Sequence, residues 1–271
     1  MTAQELWREG RLGEAVEAQV AEVRAHPGDA DRRYFLFALL CLAGDLEKAS
    51  RQLDALGVGD PALQGTAVVY RNLLASERER RASFEGSSRP VTPPGAAPTL
   101  LRRVDAIAAL ARGDVDGVGR LLVAAAGEEA PVAGTCDGTP FPALTDTDDL
   151  LGPSLEVFAG GRYILLPFAS LRRLEVEEPS HLLDLLWIPA RLETDEGTEA
   201  EVHLPVLYAG THEAEASEIR LGRGTEWYEA GAAVRGRGQK VLALGGDGAD
   251  EDRALLSIRV LEIAGGSRER A

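Results

Sequence analysis

The sequence predicts an α+β chain, helical first and β-rich afterwards, and three observations predict it. Two segments near the start repeat at one fixed spacing. The texture then changes from Leu and Ala at helical spacing to short β-branched and Leu runs broken by Gly and Pro. The charge changes with it: residues 1–113 carry 15 basic and 15 acidic groups, so the whole net charge of −15 falls in residues 114–271. No regular strand–helix alternation follows, which favours an antiparallel or mixed sheet over a parallel one.

The repeat comes first. Gly10-Arg-Leu12-Gly-Glu-Ala15 with Pro27 aligns with Gly44-Asp-Leu46-Glu-Lys-Ala49 with Pro61, each pair 34 residues apart. That is the tetratricopeptide period. Gly permits the tight turn between antiparallel helices, Ala their close approach, and Pro closes the unit. A third, degenerate unit is expected from Gly113-Asp-Val115 to Pro131. The predicted first domain is therefore a tetratricopeptide-like α-α superhelix over 1–130.

Between the repeats, Gln64 to Phe84 is expected to be helical, its alternating Glu77-Arg-Glu-Arg-Arg81 run forming a solvated face. Residues 86–98 contain Pro90, Pro93, Pro94 and Pro98 and are expected as an exposed loop. A Pro-rich ligand segment is the less favoured alternative.

The second domain, 131–271, is expected to be acidic, mixed or antiparallel, and β-rich. Leu155 to Phe158 and Arg162 to Leu166 flank Ala-Gly-Gly and read as a hairpin. Further strands are expected at Leu171–Val176, Ile188–Leu192, Val202–Tyr208, Lys240–Leu244 and Leu255–Ile263. Pro189 and Pro205 assign their runs to edges or strand ends. Leu182 to Trp187 suggests a short helix.

Composition excludes several functions. A net charge of −15 repels phosphate backbones and anionic lipids, so neither nucleic acid nor membrane is an expected partner. Two cysteines, Cys41 and Cys136, make no disulfide framework, and Met1 to Gly10 has no apolar signal region. The expected compartment is the cytoplasm.

Catalytic signatures are absent as well. No HExxH, Walker A or Gly-x-Ser-x-Gly occurs, and Cys136 lacks a recognisable His context. His26 before Pro27 suits a helix C-terminus, and His203 is expected to face solvent on a strand. Arg235-Gly-Arg-Gly238 is expected to pair with carboxylates, and Gly245-Gly-Asp-Gly248 to form a turn. No cofactor is expected. The one arrangement with metal-binding chemistry is Asp146-Thr-Asp148-Asp149, whose carboxylates could offer hard oxygen ligands to Mg²⁺ or Ca²⁺. A metal-dependent hydrolase built on Asp146, Asp148 and Asp149 is thus the alternative reading; Asp-rich turns that cap their own backbone are the plainer one.

The repeat, by contrast, has a mechanism, because a tetratricopeptide stack presents a concave wall that receives peptides or helices. Threading the 34-residue pattern places Leu36, Phe37 and Leu40 between helices. It turns Tyr34, Phe35, Ala38, Cys41 and Leu42 towards the concave side, with Trp7 in the corresponding place one unit earlier. These six are the expected partner-binding residues, the alternative being plain core beneath the second domain.

Several ordered motifs also resemble a known family. Pro27-Gly-Asp-Ala-Asp-Arg-Arg33 and Leu36 to Leu46 carry the likeness in the first half. Asp146 to Asp149, Leu151-Gly-Pro153, Glu156, Gly161-Arg-Tyr163, Leu166-Pro-Phe168, Asp184-Leu-Leu-Trp187, Leu204 to Tyr208, Leu221 to Trp227 and Gly236 to Gln239 carry it in the second. Together they resemble the ImpE family, also called TagJ or SciE, accessory proteins of type VI secretion. The sequence departs from the family pattern at Ile164-Leu165, Leu183 and Lys240, and is lengthened between Gly245 and Asp252. The resemblance implies a non-catalytic cytoplasmic adaptor that binds the N-terminal helical segment of the small sheath subunit. It also implies a connection with the sheath-disassembly ATPase. An adaptor of another phage-tail-like machine would fit the same residues.

Overall fold

The computed structural model describes residues 1–56, 61–245 and 252–264. Its first half is a run of helices paired in succession: α1 (Ala3–Arg8), α2 (Leu12–Ala25), α3 (Ala30–Leu42), α4 (Leu46–Leu56) and the long α5 (Pro61–Phe84). A third pair, α6 (Pro98–Ala111) and α7 (Val115–Ala126), follows the Pro-rich segment. The three turns between paired helices are each made by a glycine in the left-handed region, Gly10, Gly44 and Gly113, with φ of 79°, 79° and 73°. Asp114 then caps α7 by accepting from the Gly117 N–H at 2.9 Å.

The second half is built from β1 (Gly134–Cys136), β2 (Thr139–Phe141), β3 (Thr145–Asp146), β4 (Ser154–Ala159), β5 (Arg162–Pro167), β6 (Leu171–Val176) and β7 (Trp187–Thr194). β8 (Glu199–Pro205), β9 (Thr225–Ala230), β10 (Ala233–Gly238), β11 (Val241–Ala243), β12 (Asp252–Ala254) and β13 (Val260–Ile263) complete it. Eight strands form one sheet in the order β2-β1-β13-β6-β7-β8-β4-β5, every pair antiparallel. β9 and β10 make a separate hairpin, and β12-β11-β3 a small third sheet. The fold is α+β with the order of halves that the sequence predicts.

The expected hairpin turns on Gly160 and Gly161, φ 56° and 79°, the backbone that a two-residue connection between twisted strands requires. β6 spans the expected residues. The Leu255–Ile263 run is strand only from Val260, since Leu255–Ser257 forms a 3-10 turn, and Leu182–Leu185 is likewise 3-10. Pro189 lies inside β7, an interior strand, not at an edge. It is accommodated because β6 ends beside it: the Pro189 carbonyl accepts from Glu177 N at 3.0 Å and no donor is needed beyond. The Pro-rich segment has a structural use. Val91 donates to the Tyr163 carbonyl and accepts from Leu165 N, both at 2.9 Å, so this segment runs along the outer edge of β5. The expected Gly245–Gly248 turn lies, after Gly245, outside the described residues.

Helix gives way to strand between Ala126 and Gly134, but packing does not divide there. One core cluster joins Phe37, Ala38, Cys41 and Leu74 of the helices to Phe158, Tyr163, Leu183 and Trp187 of the second half. A second cluster joins Leu39 and Leu42 to Leu221. The concave wall of the helical half is thus lined by the chain's own later segment.

Candidate functional site

That packing decides the fate of the six expected partner-binding residues. Ala38, Cys41 and Leu42 are 0%, 3% and 2% exposed, beneath Leu183, Trp187 and Leu221. As docking residues they are corrected: the second half buries them, and burial pushes the Cys41 thiol well up from its ordinary pKa. Tyr34 is half-buried, its hydroxyl 2.8 Å from that of Tyr70. Trp7 and Phe35 alone reach an open recess of about 330 Å³, walled by Pro179, Leu182 and Leu185. Trp7 is held from behind by Arg223, which donates to its carbonyl at 2.9 Å and lies 6.0 Å from its ring centre.

The larger opening is on the other side of the repeat. α2 and α4 both flank α3, and between them runs a groove of about 950 Å³. Its floor is aliphatic: Val16 and Val20 of α2 are half-buried, while Val23 of α2 and Leu36 and Leu40 of α3 lie beneath them in the core. The sequence reading did not single out this groove, because it looked for docking residues on the concave side. The signal was present, as Gly13, Val16, Val20 and Val23 share one stripe of α2.

Of the acidic residues considered for metal binding, Asp146 and Asp148 are buried and Asp149 is exposed, and each carboxylate is engaged by the protein. Asp146 accepts from Lys240 Nζ at 3.2 Å, the Tyr208 hydroxyl at 3.0 Å and Asp148 N at 2.9 Å. Asp148 accepts from Arg235 Nε at 3.2 Å, Gly236 N at 3.3 Å and Leu150 N at 3.0 Å. Asp149 accepts from Val234 N at 2.6 Å, tying the β9–β10 hairpin to this loop. Arg237, the other arginine of that motif, lies over Tyr228 at 4.4 Å instead of pairing with a carboxylate.

Glu156 of β4 closes the network. Arg80 of α5 forks onto it at 2.7 and 2.8 Å, Lys240 reaches it at 2.5 Å and the Tyr163 hydroxyl donates at 2.7 Å. Burial raises the Glu156 pKa, but Arg80 and then Lys240 outweigh it and hold the carboxyl well below its usual range. For Asp146 burial wins over Lys240, and its pKa is pushed up to about 6. Asp148 is raised for the same reason against Arg235. The Asp146-Asp148-Asp149 hydrolase reading therefore meets two buried carboxylates engaged by Lys240, Arg235 and backbone N–H groups, and one exposed carboxylate that holds Val234 N.

The helical charge run was also misplaced by its pattern. Glu77 and Arg80 are 8% and 2% exposed, not on a solvated face, because the second half packs on this part of α5. His203 likewise is half-buried on β8, and burial lowers its pKa.

Comparison with known proteins agrees with this architecture. A family model described as ImpE protein matches residues 138–262. The type VI secretion system accessory component TagJ of Pseudomonas aeruginosa is 36% identical over 263 residues, 97% of this chain and 91% of that protein. The crystal structure of protein VPA1032 from Vibrio parahaemolyticus has a TM-score of 0.88 and 26% identity, covering 97% of each chain.

Proposed function

The chain belongs to the ImpE family and is a type VI secretion accessory protein, and from that premise we propose that it works as a non-catalytic adaptor of the contractile apparatus. Its partner on this reading is the N-terminal helical segment of the small sheath subunit, received by the helical repeat. The observation that carries the reading is the division of labour in the fold. One face of the repeat is fused to the sheet half through a shared core, while between α2 and α4 an open trough presents the half-buried Val16 and Val20 and a rim of charged side chains. A helical platform with an unfilled groove is what helix-in-groove recognition requires.

The sheet half supports this role without chemistry of its own. Its carboxylates are engaged in holding α5 to β4 and the β9–β10 hairpin to the 146–149 loop. Trp7 and Phe35 remain a second accessible place on the repeat.

The test is fluorescence anisotropy, titrating the full chain into a labelled N-terminal peptide of the cognate small sheath subunit. Saturable binding in the micromolar range, about −8 kcal/mol, is expected. A well-folded sample that leaves the anisotropy unchanged would remove the sheath subunit as partner.

A further inference from the structure

The trough between α2 and α4 has a charge pattern as well as a shape. On its rim stand Arg24, Arg33, Lys48 and Arg51 against Glu17 and Asp45, in a chain whose net charge is −15. Among the described residues only Lys48 of these four forms an ion pair, with Asp45 at 2.6 Å, a carboxylate whose pKa, against burial, Lys48 and also the Arg51 charge lower. Arg33 rests on neutral groups, the Gln52 side chain at 2.9 Å and the Pro27 carbonyl at 2.8 Å. Arg24 and Arg51 are exposed and form no ion pair with any described residue. Cations line both walls, one from α2 and the others from α3 and α4.

The floor sets the shape of the occupant. Val16, Val20 and Val23 follow i, i+4, i+7 along α2, and Leu36 and Leu40 follow i, i+4 along α3. From Gly13 to Pro27 the trough runs about 20 Å, or four helical turns. A Cβ at Gly13 would meet nothing within 4 Å, so that end is open. An extended segment laid there would leave backbone N–H and C=O groups against aliphatic walls. A helix satisfies its own backbone and offers only side chains.

We propose that the α2–α4 trough is the docking surface for an amphipathic helix of about four turns whose apolar stripe is flanked by Asp or Glu, those acids meeting Arg24, Arg33 and Arg51. The identity of the partner rests on the adaptor reading above; the chemistry of the occupant rests on the trough.

Two probes separate these claims. One is the N-terminal peptide of the cognate small sheath subunit. The other is a designed amphipathic peptide of about 18 residues with a Leu stripe at i, i+3/i+4 and i+7, made in Glu-flanked and Lys-flanked versions. Each is titrated into the full-length chain, into Val20→Asp and into the double variant Arg24→Glu/Arg51→Glu. The Glu-flanked peptide is expected to bind at least about tenfold more tightly than its Lys-flanked twin. The double variant is expected to invert that order, and Val20→Asp to abolish binding while keeping its helical circular dichroism. Equal affinity for the two designed peptides, or an unchanged order in the double variant, would overturn the proposal even if Val20→Asp does not fold. Binding of the Glu-flanked peptide with no binding of the sheath peptide supports the trough and sinks the adaptor reading. Failure of both peptides sinks both. Loss of sheath-peptide binding in Phe35→Asp, with Val20→Asp unaffected, moves the site to the Trp7 recess and overturns the trough alone.

Discussion

Arg80 of the long helix and Glu156 of the sheet meet in a two-pronged ion pair, 2.7 and 2.8 Å, with side chains 3% and 0% exposed. The pair fastens the repeat to the sheet, and its surroundings supply what buried charge needs: Lys240 and Tyr163 complete the carboxylate, and the Leu207 carbonyl accepts from Arg80 Nη2 at 2.9 Å. Arg80→Ala should therefore cost about 3–5 kcal/mol, because it takes the two-pronged partner from a buried carboxylate and leaves it only Lys240 and the Tyr163 hydroxyl. Urea unfolding measures this. A cost below about 1 kcal/mol would mean that the pair does not hold the two halves together. Replacing both partners with apolar residues of similar volume should cost far less than Arg80→Ala.

Asp146 gives the stability a pH dependence of unusual sign for a carboxyl. Its folded pKa is pushed from 3.8 to about 6, so between those values the folded chain binds more proton than the unfolded one. Its contribution is complete below about pH 4 and is lost as pH rises through 6. The size is on the order of 1–3 kcal/mol. Glu156 acts oppositely: its stabilisation is present above its unfolded pKa of 4.5 and disappears as pH falls below it. Asp146→Asn should remove a falling slope between pH 4 and 6 from the stability profile. Identical profiles for wild type and variant would contradict the assignment.

The repeat glycines are required for contact as well as for turning. A Cβ on Gly44, at φ 79°, would stand 2.5 Å from the His212 ring. Gly44→Ala should lower stability by about 1–3 kcal/mol through strain and displacement of that ring. Gly65, inside α5 with nothing within 4 Å of its Cβ position, is the control. Gly65→Ala should raise stability by about 0.5–1 kcal/mol. Thermal melts of the two variants that moved in the same direction would count against this reading.

Ala38 provides a separate check on which face is open. It is 0% exposed beneath the second half, so Ala38→Asp should prevent folding outright and lose cooperative melting. Phe35→Asp, at the rim of the Trp7 recess, should still fold. A folded, cooperative Ala38→Asp protein would show that the concave wall opens in solution.

Much of this fold was legible because its signals are local. Gly10 and Gly44 announce their turns at one period, and Gly160-Gly161 announces its hairpin. The β9–β10 hairpin was not legible, since Thr-Glu-Trp-Tyr-Glu-Ala and Ala-Val-Arg-Gly-Arg-Gly lack an apolar alternation. The Glu77–Arg81 run imitates a solvated helix because its ion-pair partner Glu156 lies in a distant strand, 76 residues from Arg80. The burial of three expected docking residues was illegible for a related reason. Helical spacing groups Ala38, Cys41 and Leu42 on one side of α3, but only the packed chain reveals that Leu183 and Trp187 already occupy that side. The α2 stripe carried a usable periodicity, and its open neighbour space is a tertiary property.

On the proposed reading a helix of the small sheath subunit lies in the α2–α4 trough, and site-specific photo-cross-linking tests that placement. A photoreactive amino acid is placed at Val20 in one protein and at Phe35 in another, and each is irradiated with the cognate small sheath subunit. The account predicts an adduct from position 20, mapped to the N-terminal helix of the subunit, and none from position 35. An adduct from position 35 alone, or from neither position in folded protein, would contradict it.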